Sequence, residues 1–201
     1  NYLTKNLTAS RKKIFFQTGE LHIKNIIKII KTYYPNFKMK KAIDFGCGVG
    51  RVSIPLSYYS QLVYCIDISP SMLKEAEKNC IEKFVNNVEF MLSDNYLSTL
   101  DKKINFLHSY IVFQHIPCKE GEIIFKKLLN SLSIGGIGYV HFTYGKATYS
   151  KYIKDFIKMK TPLLKNIINF IKKKNFYYPN MGMYTYDINK IVSIMKSNNI
   201  I

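Results

Sequence analysis

The stretch Asp44-Phe45-Gly46-Cys47-Gly48-Val49-Gly50 places three glycines at alternate positions behind an aspartate. Glycine reaches backbone conformations closed to other residues and lets a ligand approach the main chain closely. The spacing is D-x-G-x-G-x-G. A dinucleotide loop of the G-x-G-x-x-G type would need glycine at position 51, where the chain has Arg51. Asp67 follows the start of the loop by about twenty residues, the interval at which a carboxylate can accept hydrogen bonds from both hydroxyls of a ribose. Each half of this signal has a plainer explanation. Glycines also serve ordinary strand–helix turns, and an acid at a helix start is favoured by the helix dipole. The two halves together are much more specific than the loop alone.

Other residues could act on a bound substrate. His115 is the best single candidate for a general base, because an imidazole titrates near neutral pH; a structural histidine bonded to backbone is the alternative. His108 precedes a strand end and reads as structural. His141 and Tyr144, at the end of the fifth strand, could reach the substrate side. The four cysteines, Cys47, Cys65, Cys80 and Cys118, show no C-x-x-C spacing. They read as buried reduced thiols of a cytoplasmic protein, and no metal site is expected.

These residues must be positioned by regular elements. Apolar positions from Gly19 to Lys31 recur at near-helical spacing. Lys41–Phe45 reads as a first strand and Arg51–Ser60 as a helix shortened or kinked by Pro55. Leu62–Ile66 is a second strand ending at Asp67. Ser69-Pro70 reads as an N-cap followed by proline at the first helical position, opening a helix to about Cys80. Val88–Leu92 and Ile104–Ser109 are further strands. A helix over Glu120–Leu132 is expected to stop at Gly135-Gly136, with a fifth strand over Ile137–Tyr144. A last helix is expected over Tyr186–Ser197, with the chain stopping about where another strand would begin. Strands alternating with helices predict an α/β fold, a Rossmann-like doubly wound, mainly parallel sheet with helices on both faces.

The segments AIDFGCGVGRVSIPLS and VYCIDISPSMLKEAEKN resemble the cofactor half of the class I S-adenosylmethionine (SAM) dependent methyltransferases. The resemblance covers roughly residues 41 to 144 and is strong for the cofactor half. It implies SAM as cofactor and S-adenosylhomocysteine (SAH) as product. It implies that Asp44, Gly46, Cys47, Gly48 and Gly50 hold the methionine part and Asp67 the ribose. Ile68 and Met72 would pack near the adenine and ribose, and Asp94, flanked by Ser93 and Asn95, would face the adenine amino group. Asn105–Pro117 resembles the strand-four region of small-molecule relatives, so Ser109 to His115 should line the site near the transferable methyl. The expected function is methylation of an oxygen or nitrogen of a small metabolite. Phe15–Glu20 resembles a lid segment in which Gly19 would approach the cofactor, or else a plain helix start.

The formal charge of +17 invites a nucleic-acid reading. Arginine occurs only at Arg11 and Arg51, however, and arginine is the better residue for bidentate phosphate and base contacts. The Asn/Asp-Pro-Pro-aromatic loop of exocyclic-amine methylation is missing after strand four, where His108-Ser109-Tyr110-Ile111 stands. Pro117-Cys118 has the letters of a cytosine-C5 nucleophile but lies past the strand end. A small-molecule acceptor is therefore favoured. An RNA or protein methyltransferase, or a non-catalytic SAM-binding subunit, stands as the alternative. No apolar run reaches the roughly 18 residues of a membrane span. The expected organisation is an N-terminal lid or helix segment (1–40), a SAM-binding core (41–147), and a lysine-rich helical insertion with the last helix (148–201). That insertion reads as a substrate lid or core-packing helix, with an anionic membrane surface as the lesser alternative.

Overall fold

A computed structural model describes residues 8–94, 96–98, 100, 103–144, 183–198 and 200. The lysine-rich insertion expected from Thr148 to Lys174 lies outside the described residues, as does Asn95. Five strands form one parallel sheet: β1 (Lys41–Phe45), β2 (Leu62–Asp67), β3 (Val88–Leu92), β4 (Ile104–Ser109) and β5 (Leu132–Val140). Their spatial order is β3-β2-β1-β4-β5, so the chain reverses direction across the sheet between β1 and β4. Open parallel sheets bind ligands at such a switch point, outside the carboxyl ends of the strands.

Helices cover both faces, and the alternation of strand side chains explains why. On one face, Ala42, Val63, Cys65 and Phe106 pack with Ile23, Ile26 and Ile30 of α1 (Ala9–Tyr33). On the other, Ile43, Phe45, Ile66 and Leu107 pack with Ile124, Phe125 and Leu128 of α4 (Cys118–Ser131) and with Ile191 of α5 (Ile188–Ser197). Helices α2 (Ser53–Ser57) and α3 (Pro70–Glu82) follow β1 and β2. The expected cap holds: Ser69 Oγ accepts from Met72 N, with Pro70 opening α3.

Three elements differ from expectation. Helix α1 starts ten residues earlier than the apolar pattern placed it, capped by Thr8, whose hydroxyl accepts from Arg11 N. Its buried positions, Phe16, Gly19, Ile23, Ile26 and Ile30, follow alternating intervals of three and four. Gly19 belongs to that stripe although it carries no side chain. Helix α2 is only five residues long, with turns on either side. Pro55 sits in its first turn, where the missing N–H costs no helical hydrogen bond.

Gly135-Gly136 do not separate helix from strand. α4 ends at Ser131, and β5 begins at Leu132, with both glycines inside it. Leu132 pairs with Ile104 and Ile137 with Phe106, so β4 advances two residues while β5 advances five. The excess is looped out in a bulge, and Gly135 at φ +76° makes the turn that allows it. β5 also ends at Val140, before the Tyr144 expected as its end. No helix among the described residues is long and apolar enough to cross a membrane.

Candidate functional site

A cleft of about 830 Å³ opens at the carboxyl ends of the strands. Its floor is the glycine loop after β1. Gly46, Gly48 and Gly50 have φ of +75°, +56° and +82°, in the left-handed region that favours glycine. The loop is tied to β2 twice. Gly46 N and Cys47 N both donate to Ile66 O, at 2.8 and 3.0 Å. Gly48 N donates to Asp67 Oδ2 at 2.9 Å, and Ser69 N to Asp67 Oδ1 at 2.9 Å. Each Asp67 oxygen keeps a second lone-pair direction for a ligand. A Cβ on Gly48 would meet nothing within 4 Å, so the main chain there faces open space.

Asp44, behind the loop, is 2% exposed. Ser53 Oγ donates to its Oδ2 at 2.5 Å and His108 Nδ1 to its Oδ1 at 2.8 Å. His108 Nε2 lies 3.0 Å from His22 Nε2 of α1. The ring of Tyr139 stacks on His108 and that of Tyr110 lies tilted by 32° against His22, with centroids 5.7 and 4.3 Å apart. His22 is pulled down to about 4, first by burial and then by the charges of His108 and Arg51; Asp44 opposes the shift.

The loops after β3 and β4 form the walls. Ser93 and Asp94 line the cleft. Asp94 Oδ1 also accepts from Tyr96 N and Ser98 N, and hydrogen bonding from Ser98 holds this carboxyl below its usual value. After β4, Tyr110, Ile111, Val112, Gln114 and His115 all face the cleft. Ile111 sits at φ 63°, a strained conformation for a β-branched residue. Thr143 Oγ1 donates to Gln114 Oε1 at 3.1 Å, and the Gln114 amide nitrogen lies 3.1 Å from His115 Nε2. With that amide donating, His115 Nε2 is already an acceptor.

Of the residues singled out in the sequence, the cleft gathers Asp44, Gly46, Cys47, Gly48, Asp67, Ile68, Met72, Ser93, Asp94 and His115. Gly50 and Ser109 are not on its surface. Gly50 packs toward Ala76 of α3, 3.5 Å from where its Cβ would stand. Ser109 is fully buried, its hydroxyl without a partner among the described residues. His141 and Tyr144 lie off the cleft; the His141 ring meets the Tyr110 ring edge-on at 5.4 Å. Gly19 makes its close approach to the Arg51 main chain, where a Cβ would come 2.1 Å from the carbonyl oxygen. Phe15 of the same helix lines the cleft, with the Arg51 guanidinium 5.6 Å from its ring centre. Cys47, Cys65, Cys80 and Cys118 are free, and burial pushes all four thiols up. Among the described residues no cluster of His, Cys, Asp and Glu could hold a metal ion.

The sequence pointed to neither His22 nor Glu120. Glu120 lines the cleft from the first turn of α4. Its position three residues past Pro117 was visible in the sequence, but only the fold turns it toward the loop.

Residues 42–136 match a methyltransferase domain family. Residues 42–136 form a class I SAM-dependent methyltransferase domain. A magnesium-protoporphyrin O-methyltransferase of Synechocystis is 37% identical over 87 residues, 42% of this chain and 37% of that protein. An uncharacterized RNA methyltransferase of Aquifex aeolicus is 29% identical over 137 residues, 62% of this chain and 28% of that protein. The chain thus spans well under half the length of either relative. The solved magnesium protoporphyrin IX methyltransferase of Synechocystis with bound SAH superimposes at a TM-score of 0.61 with 22% identity, covering 96% of this chain and 78% of that one. That likeness shows a shared fold. SAM is the cofactor of the methyltransferase domain, and it supplies a methyl group on a positively charged sulfonium. The cleft can admit SAM: its loop is open at Gly48, and Asp67 beside it keeps acceptor directions for hydroxyl groups.

Proposed function

We propose that this domain transfers a methyl group from SAM to an oxygen or nitrogen of a small molecule. The observation that carries the reading is the charge of the cleft. The chain has 30 lysines and arginines against 13 acids. Yet Asp44, Asp67, Asp94 and Glu120 line the cleft, and Arg51 is the only lysine or arginine among its described lining residues. An acidic, partly apolar cleft favours a cationic cofactor and a neutral or cationic acceptor, and it repels a phosphate backbone. Its volume falls in the range of small-ligand sites.

In this reading the glycine loop holds the methionine part of SAM and Asp67 its ribose. Ile68 and Met72 pack against the base, and Ser93 and Asp94 border it. Phe45, Tyr110 and Val112 exclude water around the reacting atoms, and aromatic faces suit the sulfonium charge. Transfer then depends mainly on holding the acceptor close and in line. His115 is the candidate to take up an acceptor proton, which requires its Nε2 to exchange the Gln114 amide for that proton. The magnesium-protoporphyrin relative, named as an O-methyltransferase, supports an oxygen acceptor. The +17 charge and the RNA-methyltransferase relative support a second reading, in which the outer lysine surface docks RNA.

The test is calorimetric titration with SAM and SAH, followed by turnover with methyl-labelled SAM over hydroxyl, carboxyl and amine metabolites. Binding of both, with label on a small acceptor, is expected. Preferential labelling of RNA, with binding that falls steeply as salt rises, would replace this reading with the second.

A further inference from the structure

We propose that His22 and His108 are positioning residues, which hold the Asp44 carboxylate in place beneath the SAM loop through a hydrogen-bond chain from α1 to β1. The inference rests on the reading of the cleft as the SAM site. The chain runs His22 Nε2, His108 Nε2, His108 Nδ1, Asp44 Oδ1, with Ser53 Oγ closing it on Asp44 Oδ2.

Donor and acceptor counting gives the direction of the chain with His108 neutral. A carboxylate oxygen only accepts, so the proton of His108 lies on Nδ1. In the neutral ring the lone pair at Nε2 then accepts. His22 Nε2–H is the group placed to give it, 3.0 Å away. His22 in turn packs against the Tyr110 and Tyr139 rings, at 4.3 and 5.4 Å, which restrict its rotation. The sheet end of the chain is buried, with His108 1% and Asp44 2% exposed, while His22 is partly buried.

Removing His22 takes away the partner of His108 Nε2 and opens space beside the ring, so the ring is held at Nδ1 alone. The ring can then tilt, and the Asp44 carboxylate bonded to it turns with it. Asp44 is the first residue of the glycine loop and lines the cleft, so its rotation moves charge at the place where the cofactor's ammonium is expected. A histidine that fixes an acid is the mirror of the familiar case in which an acid fixes a histidine tautomer. Because His22 belongs to α1, docking of this helix and formation of the SAM site become one event.

SAH affinity measured by calorimetry on the full chain tests the proposal, with thermal melting without ligand alongside. His22→Ala and His108→Leu are expected to weaken SAH binding about tenfold, the scale of a lost hydrogen bond to a charged group. His22→Gln, whose amide can still donate, is expected to recover most of the loss. Lys28→Ala, on the exposed side of the same helix, is expected to bind like the wild type. Wild-type affinity in His22→Ala, with binding lost in Asp67→Ala, would overturn the relay and leave the cleft reading standing. Failure of the wild type to bind SAH, or unchanged binding in Asp67→Ala, would overturn the cleft reading itself. Should the alanine variant not fold, nitrogen-15 NMR of the wild-type imidazoles decides: a proton on His108 Nδ1 and on His22 Nε2 is expected, and any other placement refutes the chain.

Discussion

The main-chain N–H of Gly48 donates to Asp67 Oδ2 at 2.9 Å, joining the two halves of the sequence signature across 19 residues. The acid after β2 therefore shapes the loop after β1 as well as facing the cleft. Asp67→Ala removes the acceptor of Gly48 N and the proposed ribose contact together. SAM affinity should fall at least about 100-fold, the value of two hydrogen bonds to a charged group. The melting temperature of the ligand-free protein should fall by only a few degrees. Calorimetry and thermal denaturation of the same preparation check both.

Gly19→Ala should destabilise the fold by about 1–3 kcal/mol, as overpacking does. Its Cβ would stand 2.1 Å from Arg51 O, and both clashing partners are main chain, so neither can rotate away. Gly48→Ala makes the useful contrast. Its Cβ meets nothing, so the left-handed backbone strain of about 1–2 kcal/mol is its whole stability cost. That Cβ instead projects into the cleft and should weaken SAM binding. Denaturant midpoints and SAM affinity measured on both variants separate the two effects.

Stability should depend on pH through His22. The groups facing this ring are His108, Arg51, Asp44, Tyr110 and Tyr139. Its pKa is lowered from 6.5 to about 4 in the fold, so between these values the unfolded chain binds the extra proton and the folded chain does not. The contribution is fully present above pH 6.5 and is lost as pH falls toward 4. His22→Gln should flatten this part of the curve. Denaturation free energies of both proteins from pH 7.5 to 4.5 provide the check, and parallel curves would contradict it.

His115→Gln should lower kcat by about 100-fold or more, the lower bound for general-base catalysis, with SAM affinity unchanged. Gln114→Leu removes the donor to His115 Nε2 and should shift the acid limb of the kcat profile without abolishing turnover. Steady-state kinetics against pH, with an acceptor found in the screen, would show this. Equal kcat for wild type and His115→Gln would make the histidine a wall of the cleft.

Short-range information in the sequence determined most of the fold. β1 and β4 lie where apolar runs placed them, because strands buried on both faces need such runs. Ser69-Pro70 marked the start of α3 because cap chemistry is local. The glycine spacing and Asp67 were legible for the same reason: each answers a need of its own backbone. What the sequence did not disclose depends on contacts between distant segments. Gly135-Gly136 read as a helix stop, since the bulge that absorbs them exists only once β5 is paired with β4. Ser109 read as lining the site, but strand alternation turns its side chain away from the cleft. His108 read as structural and His22 was not singled out, because 86 residues separate two rings that only the packing of α1 on the sheet brings to 3.0 Å. Local backbone demands were written in the residues themselves; the orientation of side chains toward the cleft was decided by tertiary packing, which no spacing along the chain encodes.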